Sequence, residues 1–373
     1  MQQLLYINIY NFLGQVSQNK KLAIGWQQLQ REDTKLWIKS VLSTPRHTDF
    51  SSRCGDFYDP WYRVAEPLPK FLAMPPLRNI NLSFEDVCDR VAQELIDRVN
   101  ESDRTLLLLW SGGIDSTVIL VSLLKQNIDR SRLRILLTKE SREEHPRFFE
   151  NYINEKLNWQ DTLEFTRGQH TRENFYTVSG VLGDQLFGGG SAGIFRNRYP
   201  GESRPWRTCR SEICEILVPD SPKAAAWFLA ELERNIESQP RDIVTTDDFF
   251  WWFNFNFKWR ETAIRSSYNI DLWGDNRHCN PDCLKNYLKN NVTFFGHELF
   301  QLWSLATENK NIDKQQCRDY IYSWDGDRDY RDNKKKERST PKIAQPDPRP
   351  TVIFEDQTAV WQLSDNEILS LLG

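Results

Sequence analysis

One stretch, RTLLLLWSGGIDSTVILVSLLK from Arg104 to Lys125, constrains the fold of this chain more than any other. Four consecutive leucines and a tryptophan read as a strand buried on both faces, the kind found in parallel sheets. The run stops at Ser111-Gly112-Gly113, and a second apolar run, Ser116 to Lys125, reads as a buried helix. A strand, a glycine turn and a helix in that order leave backbone N–H groups uncovered at the turn. The positive end of the helix points to the same place.

Phosphate oxygens suit such a turn. Asp115 then fits as a ligand for a magnesium ion, because a lone carboxylate facing phosphates without a metal is repelled. Ser116 adds a hydroxyl donor. The competing reading is a tight strand-to-helix turn in which Asp115 only favours the helix N-terminus. The pattern is no Walker loop, since it lacks G-x-x-x-x-G-K-[ST] and has no lysine beside the turn.

The surrounding sequence extends the unit. In NLSFEDVCDRVAQELIDRV, Ser83 caps a predicted helix whose Phe84, Val87, Val91, Leu95 and Val99 share one face. Downstream come a strand at Arg134 to Thr138, a helix opened by Pro146, a strand TLEFT, and a strand FYTVSG that runs into VLGDQLFGGG. Strands alternating with helices predict an α/β fold, a parallel sheet with helices on both faces, and ligands at the carboxyl ends of its strands. From about Pro200 the pattern becomes helical, through PKAAAWFLAELERNIE, the aromatic TDDFFWWFNFNFKWRETAIRSSY and GHELFQLWSLATE, which predicts a helical C-terminal elaboration.

The predicted organisation is an N-terminal segment 1–80, a main domain 81–340, and a Pro-rich connector with a last helix at 341–373. In the first segment LLYINIY and KLWIKSVL read as short strands, and TVIF and SDNEILSLL near the end read as a strand and a helix.

Bulk properties narrow the function class. The 373 residues carry a formal net charge of -4, which gives no general attraction to a phosphate backbone and argues against nucleic acid as a partner. Seven dispersed cysteines and an N-terminus without a basic n-region predict a reduced, cytoplasmic protein, and no run is long enough to span a membrane. His278, Cys279 and Cys283, with Cys209 and Cys214, could form a four-ligand metal set, but their spacings fit no common zinc signature.

SGGIDS, Ser111 to Ser116, resembles the PP-loop of the ATP pyrophosphatases, and SGVLGDQLFGGG, Ser179 to Gly190, resembles the SGxGxDExFGGY element of the asparagine synthetase synthetase domain. Thr293 to Glu308 is similar to a later segment of the same family. The resemblance implies ATP and Mg2+ as cofactors, with Asp115 and Asp184 as metal ligands and catalytic residues. It places Ser111, Gly112, Gly113, Ser116 and Gly183 around the phosphates, and Leu109 and Thr138 at the adenine pocket. It also implies a catalytic lysine in DYRDNKKKERS, at Lys334, Lys335 or Lys336. The implied activity is an AMP-forming ligase that adenylates a carboxylate and passes the acyl group to ammonia or an amine.

The chain departs from the asparagine-forming pattern. Gln2 stands where a glutaminase has its cysteine nucleophile, and only about eighty residues precede the synthetase-like part, which argues against self-supplied ammonia. Val181 replaces a glutamate and Gln185 another, so a carboxylate that could deprotonate an incoming nitrogen is missing. An amine acceptor other than ammonia, as in the beta-lactam synthetases and lasso-peptide cyclases, is therefore open. Two further readings stand beside it: a PP-loop enzyme that modifies tRNA or a nucleobase, and a scaffold that binds nucleotide without turnover. A homo-oligomer or a partner protein fits either. The aromatic segment reads first as core, with pocket lining by its neighbours Lys258, Arg260 or Glu261 as the alternative.

Overall fold

Strand Thr105–Leu109 lies in the middle of a five-stranded sheet in which every neighbouring pair runs parallel. The computed structural model describes residues 4–7, 36, 53, 74–78, 80–162, 174–219, 221–237, 239, 241–259, 262, 290–307, 314–333, 352–354 and 359–360. In chain order the elements are β1 (Leu4–Ile7), α1 (Phe84–Asn100), β2 (Thr105–Leu109), α2 (Ile114–Lys125), β3 (Leu133–Leu137), α3 (Lys139–Glu144), β4 (Asn158–Asp161) and β5 (Phe175–Ser179). They continue with α4 (Gly189–Arg198), α5 (Arg210–Leu217), α6 (Pro222–Glu237), α7 (Thr246–Asn256), β6 (Asn291–Thr293), α8 (Glu298–Ala306), α9 (Gln315–Asp325), α10 (Arg328–Asn333), β7 (Val352–Phe354) and β8 (Ala359–Val360).

Successive side chains on a strand face opposite sides of a sheet, and Leu106, Leu107 and Leu108 are all buried. Both faces of β2 are therefore covered. Each such leucine stabilises the fold by roughly 1.5–3 kcal/mol relative to exposure. Helix α1 forms where its sequence pattern puts it. Ser83 and Asp86 make a reciprocal capping box, with Asp86 N–H donating to Ser83 Oγ at 3.1 Å and Ser83 N–H to Asp86 Oδ2 at 2.9 Å. Phe84, Val87, Val91, Leu95 and Val99 all point into the core. Helix α2, buried from Ser116 to Leu123, packs against both α1 and α9.

The strand order is β4-β3-β2-β5-β6. From β2 the chain moves outward through β3 to β4, then crosses to the other side of β2 and continues outward through β5 to β6. The direction reverses between β2 and β5. In an open parallel sheet such a reversal leaves a crevice beyond the carboxyl ends of the two strands, because the connections leave them in opposite directions. The Ser111 turn follows β2, and the Gly180 loop follows β5.

Three expectations shift. The strand read at TLEFT lies earlier, at Asn158–Asp161, and Thr162 is helical, while 163–166 fall outside the described residues. The helix opened by Pro146 passes into a π turn at Phe149–Ile153 and stops there. Trp159 then packs edge-on against Phe149 at 5.4 Å and donates its indole N–H to Asn154 O at 3.1 Å, so extended chain begins sooner. In the segment read as the strand KLWIKSVL, Leu36 is helical and buried, and its neighbours lie outside the described residues. The helix expected at SDNEILSLL also lies outside them.

Helix α7 has no polar face. Every residue from Phe249 to Asn256 is buried, as a helix enclosed on all sides requires. Its rings are packed as core, with Trp251 and Phe255 stacked at 5.3 Å and Phe249 and Phe250 edge-to-face at 5.5 Å. Apart from the main sheet, β1 pairs antiparallel with β7, and β7 with β8. Among the described residues no helix is long and apolar enough to cross a membrane.

Candidate functional site

Gly112 makes the first turn. Its φ is 72°, a left-handed value that favours glycine, and a Cβ there would lie 2.3 Å from the Ser141 carbonyl oxygen of α3. No side chain caps the N-terminus of α2, whose N-cap is Gly113. Gly113 has no side chain with which to cap the first turn of this helix, and helix N-termini favour anions. The two serines close the turn on itself. Ser111 N–H donates to Ser116 Oγ at 3.1 Å, Ser116 Oγ donates to the Gly113 carbonyl at 3.1 Å, and Gly113 N–H donates to Ser111 Oγ at 3.3 Å. From behind, the Tyr330 hydroxyl of α10 donates to the Gly112 carbonyl at 3.3 Å, and its ring stacks on buried His145 with centroids 3.6 Å apart.

The second loop is pressed against the first. A Cβ on Gly180 would lie 2.8 Å from Asp115 Cβ, and one on Gly183 would lie 2.6 Å from Asp115 Cγ. Glycine at both places lets the main chain approach the Asp115 carboxylate. Leu182, at the position of the second glycine in SGxGxDExFGGY, has φ 72° while its side chain is buried. That left-handed leucine costs about 1–2 kcal/mol of backbone strain, held by the packing around it.

Polar side chains buried in the core secure this loop. Asn254 of α7 donates to the Phe187 carbonyl at 2.6 Å and to the Asp184 carbonyl, and Ser304 Oγ of α8 donates to the Leu186 carbonyl at 2.8 Å. The Trp251 indole N–H in turn donates to Ser304 Oγ at 2.9 Å. The aromatic helix therefore acts as core that holds the loop, and its Trp251 also lines a recess with Leu186, Phe187, Trp303 and Gln316. Lys258 is buried, and Arg260 and Glu261 lie outside the described residues.

Asp115 and Asp184 come together on one cation. Lys314 Nζ donates to both Asp115 oxygens at 2.6 and 2.7 Å and sits 2.6 Å from Asp184 Oδ1. The Lys314 and Asp115 side chains are 12% and 22% exposed against 41% for Asp184, so the cluster opens to solvent on the Asp184 side. Burial alone would lower the lysine pKa, but the two carboxylates outweigh it and raise it above the ordinary lysine range. Lys314 has φ 61° and stands at the N-cap of α9, where the helix dipole disfavours a cation. The two carboxylates supply the compensation. Cys317, one turn on, is buried, and desolvation pushes its thiol up.

The other expected residues lie nearby. Leu109 ends β2, and Thr138 follows the adjacent β3, with its Oγ1 accepting from Ser141 N–H at 3.3 Å as the cap of α3. Lys334, Lys335 and Lys336 lie outside the described residues, as do Gln2, His278, Cys279 and Cys283. Among the described residues no three His, Cys, Asp or Glu side chains gather as a metal cage. Lys314 was not foreseen from the sequence. Its only signal was a lysine just ahead of the helical pattern QQCRDYIY, the wrong sign for a helix start.

Two carboxylates within reach of one cation suit a magnesium ion that arrives with substrate phosphates, since Mg2+ commonly takes one or two protein carboxylates and keeps phosphate and water as its other ligands. No family model, curated protein or solved structure matches the chain.

Proposed function

We propose that this protein is an ATP-dependent ligase of the asparagine synthetase-like, PP-loop type, which adenylates a carboxylate and passes the acyl group to an amine. The observation that carries this reading is the meeting of Asp115 and Asp184, from the loops after β2 and β5, on a single cation at the reversal point of the sheet. Nucleotides bind at such points in parallel sheets.

In this reading the N-terminus of α2, with Ser111, Gly112, Gly113 and Ser116, receives the β and γ phosphates of ATP, and Gly183 keeps the opposing loop close. Leu109 and Thr138 border the adenine. Asp115 and Asp184 would hold the magnesium, which when bound neutralises phosphate charge. Lys314 takes the role that Lys334 and Lys335 were expected to fill, an ammonium beside the reacting phosphorus. Adenylation turns a poor leaving oxygen into AMP, and the helix amides and Lys314 stabilise the departing pyrophosphate. With Val181 in place of a carboxylate, the amine's proton leaves to another base or to water. The free thiols of Cys88, Cys209, Cys214 and Cys317 suit a reducing, cytoplasmic setting.

The test is pyrophosphate release from ATP over a panel of carboxylates, with and without amines, by wild type, Asp115→Asn and Asp184→Asn. Carboxylate-dependent release that each substitution lowers about a hundredfold or more supports the reading. Nucleotide binding without release across the panel would instead support a scaffold. Robust asparagine formation from aspartate and ammonia would remove the case for a different acceptor.

A further inference from the structure

We infer that Lys314 is a tethered counter-cation that competes with a free divalent ion for Asp115 and Asp184, so that metal enters best as part of a metal-nucleotide complex whose phosphates take over the ammonium. The inference rests on the ATP reading for what draws the lysine away, and on geometry alone for its hold on the two carboxylates.

The geometry is specific. The ammonium touches both oxygens of Asp115 and one of Asp184, all at 2.6 to 2.7 Å, and therefore sits between the two carboxylates. A divalent ion bound to both carboxylates would compete with the ammonium for the same oxygens. The ammonium offsets one carboxylate charge, which weakens the pull of the pair on a free dication that must also shed water. When a dication carrying a polyphosphate arrives, the added negative charge gives the displaced ammonium a new partner, and each charge ends paired. The anchor also favours a short displacement. Lys314 is in the left-handed region at the head of α9, a backbone state of raised energy for a lysine, and its ammonium is on a flexible four-carbon stem.

The experiment measures binding of Mn2+ alone, by the paramagnetic resonance signal of free Mn2+, to wild type, Lys314→Met and Lys314→Gln, without and with the non-cleavable α,β-methylene analogue of ATP. The inference expects weak Mn2+ binding by wild type without nucleotide, and binding about tenfold tighter or more in both variants, because the carboxylates lose their internal cation. Adding Asp184→Asn to Lys314→Met should abolish the gain. A cooperative melt for each variant, with a midpoint that Mn2+ raises in Lys314→Met and leaves unchanged in wild type, checks folding in the same samples. Equal Mn2+ affinity in wild type and both folded variants would overturn the inference. Failure of the ATP reading looks different: the variants gain Mn2+, yet the analogue neither binds wild type nor tightens its hold on the ion.

Discussion

Gly183 lies so close to Asp115 that a single added carbon would come within 2.6 Å of the Asp115 carboxyl carbon and one of its oxygens. Gly183 has φ -59°, ordinary for any residue, so the glycine is required by proximity alone. Gly183→Ala should therefore leave local backbone energy unchanged while pushing the two loops apart. The expected result is at least a roughly tenfold loss in binding of an ATP analogue, with a melting midpoint lowered by only a few degrees. Calorimetric titration beside a thermal melt separates the two effects, and unchanged affinity would show that the loops need no such closeness.

Asn254 makes a second prediction. Its amide serves the carbonyls of Asp184 and Phe187 from within an apolar helix, and it is 2% exposed. Asn254→Ala strands both carbonyls and should cost about 2–4 kcal/mol in chemical unfolding, while Asn254→Leu overfills the space next to Gly189 and should cost at least as much. A loss below about 0.5 kcal/mol would mean water replaces the amide.

Arg53 is one of the described residues of the N-terminal segment that reach the core, as is Leu36. Its N–H donates to Asn256 Oδ1 at 2.7 Å, its guanidinium donates to the Phe255 carbonyl at 3.2 Å and to Gln301, and it lies over Trp259 at 4.2 Å. Arg53→Ala should destabilise the whole domain by about 3 kcal/mol or more, since buried acceptors lose a charged donor. Denaturant unfolding checks this, and an unchanged midpoint would show that these contacts carry no stability.

Asp325 sets a pH dependence. Desolvation raises its pKa in the fold, where its carboxylate lies 3.9 Å from the Nε2 of buried His145. A raised folded pKa means that the contribution to stability is full below the unfolded value, near pH 4, and is lost as pH rises through the folded value. Asp325→Asn keeps the acceptor for Asp327 N–H and should melt higher than wild type at neutral pH, with the difference closing below about pH 4. The same or a larger difference in acid would sink the assignment.

Much of the scaffold was readable because its signals are local. Ser83 with Asp86, the 3.6-residue spacing of α1, and four leucines ahead of two glycines each declare an element within a few residues. The meeting of Asp115 with Asp184 could be anticipated from the resemblance of their two loops, SGGIDS and SGVLGDQLFGGG, to those of a known family. Lys314 could not. Its role depends on α9 folding back over α2, a contact with Asp115 across 199 positions, while the more conspicuous basic run at Lys334 to Lys336 drew the expectation. The strand after Leu157 was misplaced because a π turn leaves no distinct mark in the hydrophobic spacing. The polar atoms of α7 were hidden among rings, where asparagine reads as an interruption rather than as a clamp.

That separation of 199 positions also orders events during synthesis. At about 5–20 residues per second, a ribosome delivers Asp115 roughly 10 to 40 s before Lys314. In that interval α2 has α1 to pack against but not yet α9. Docking of α9 then brings the Lys314 ammonium to Asp115 and covers a second side of α2 in one movement.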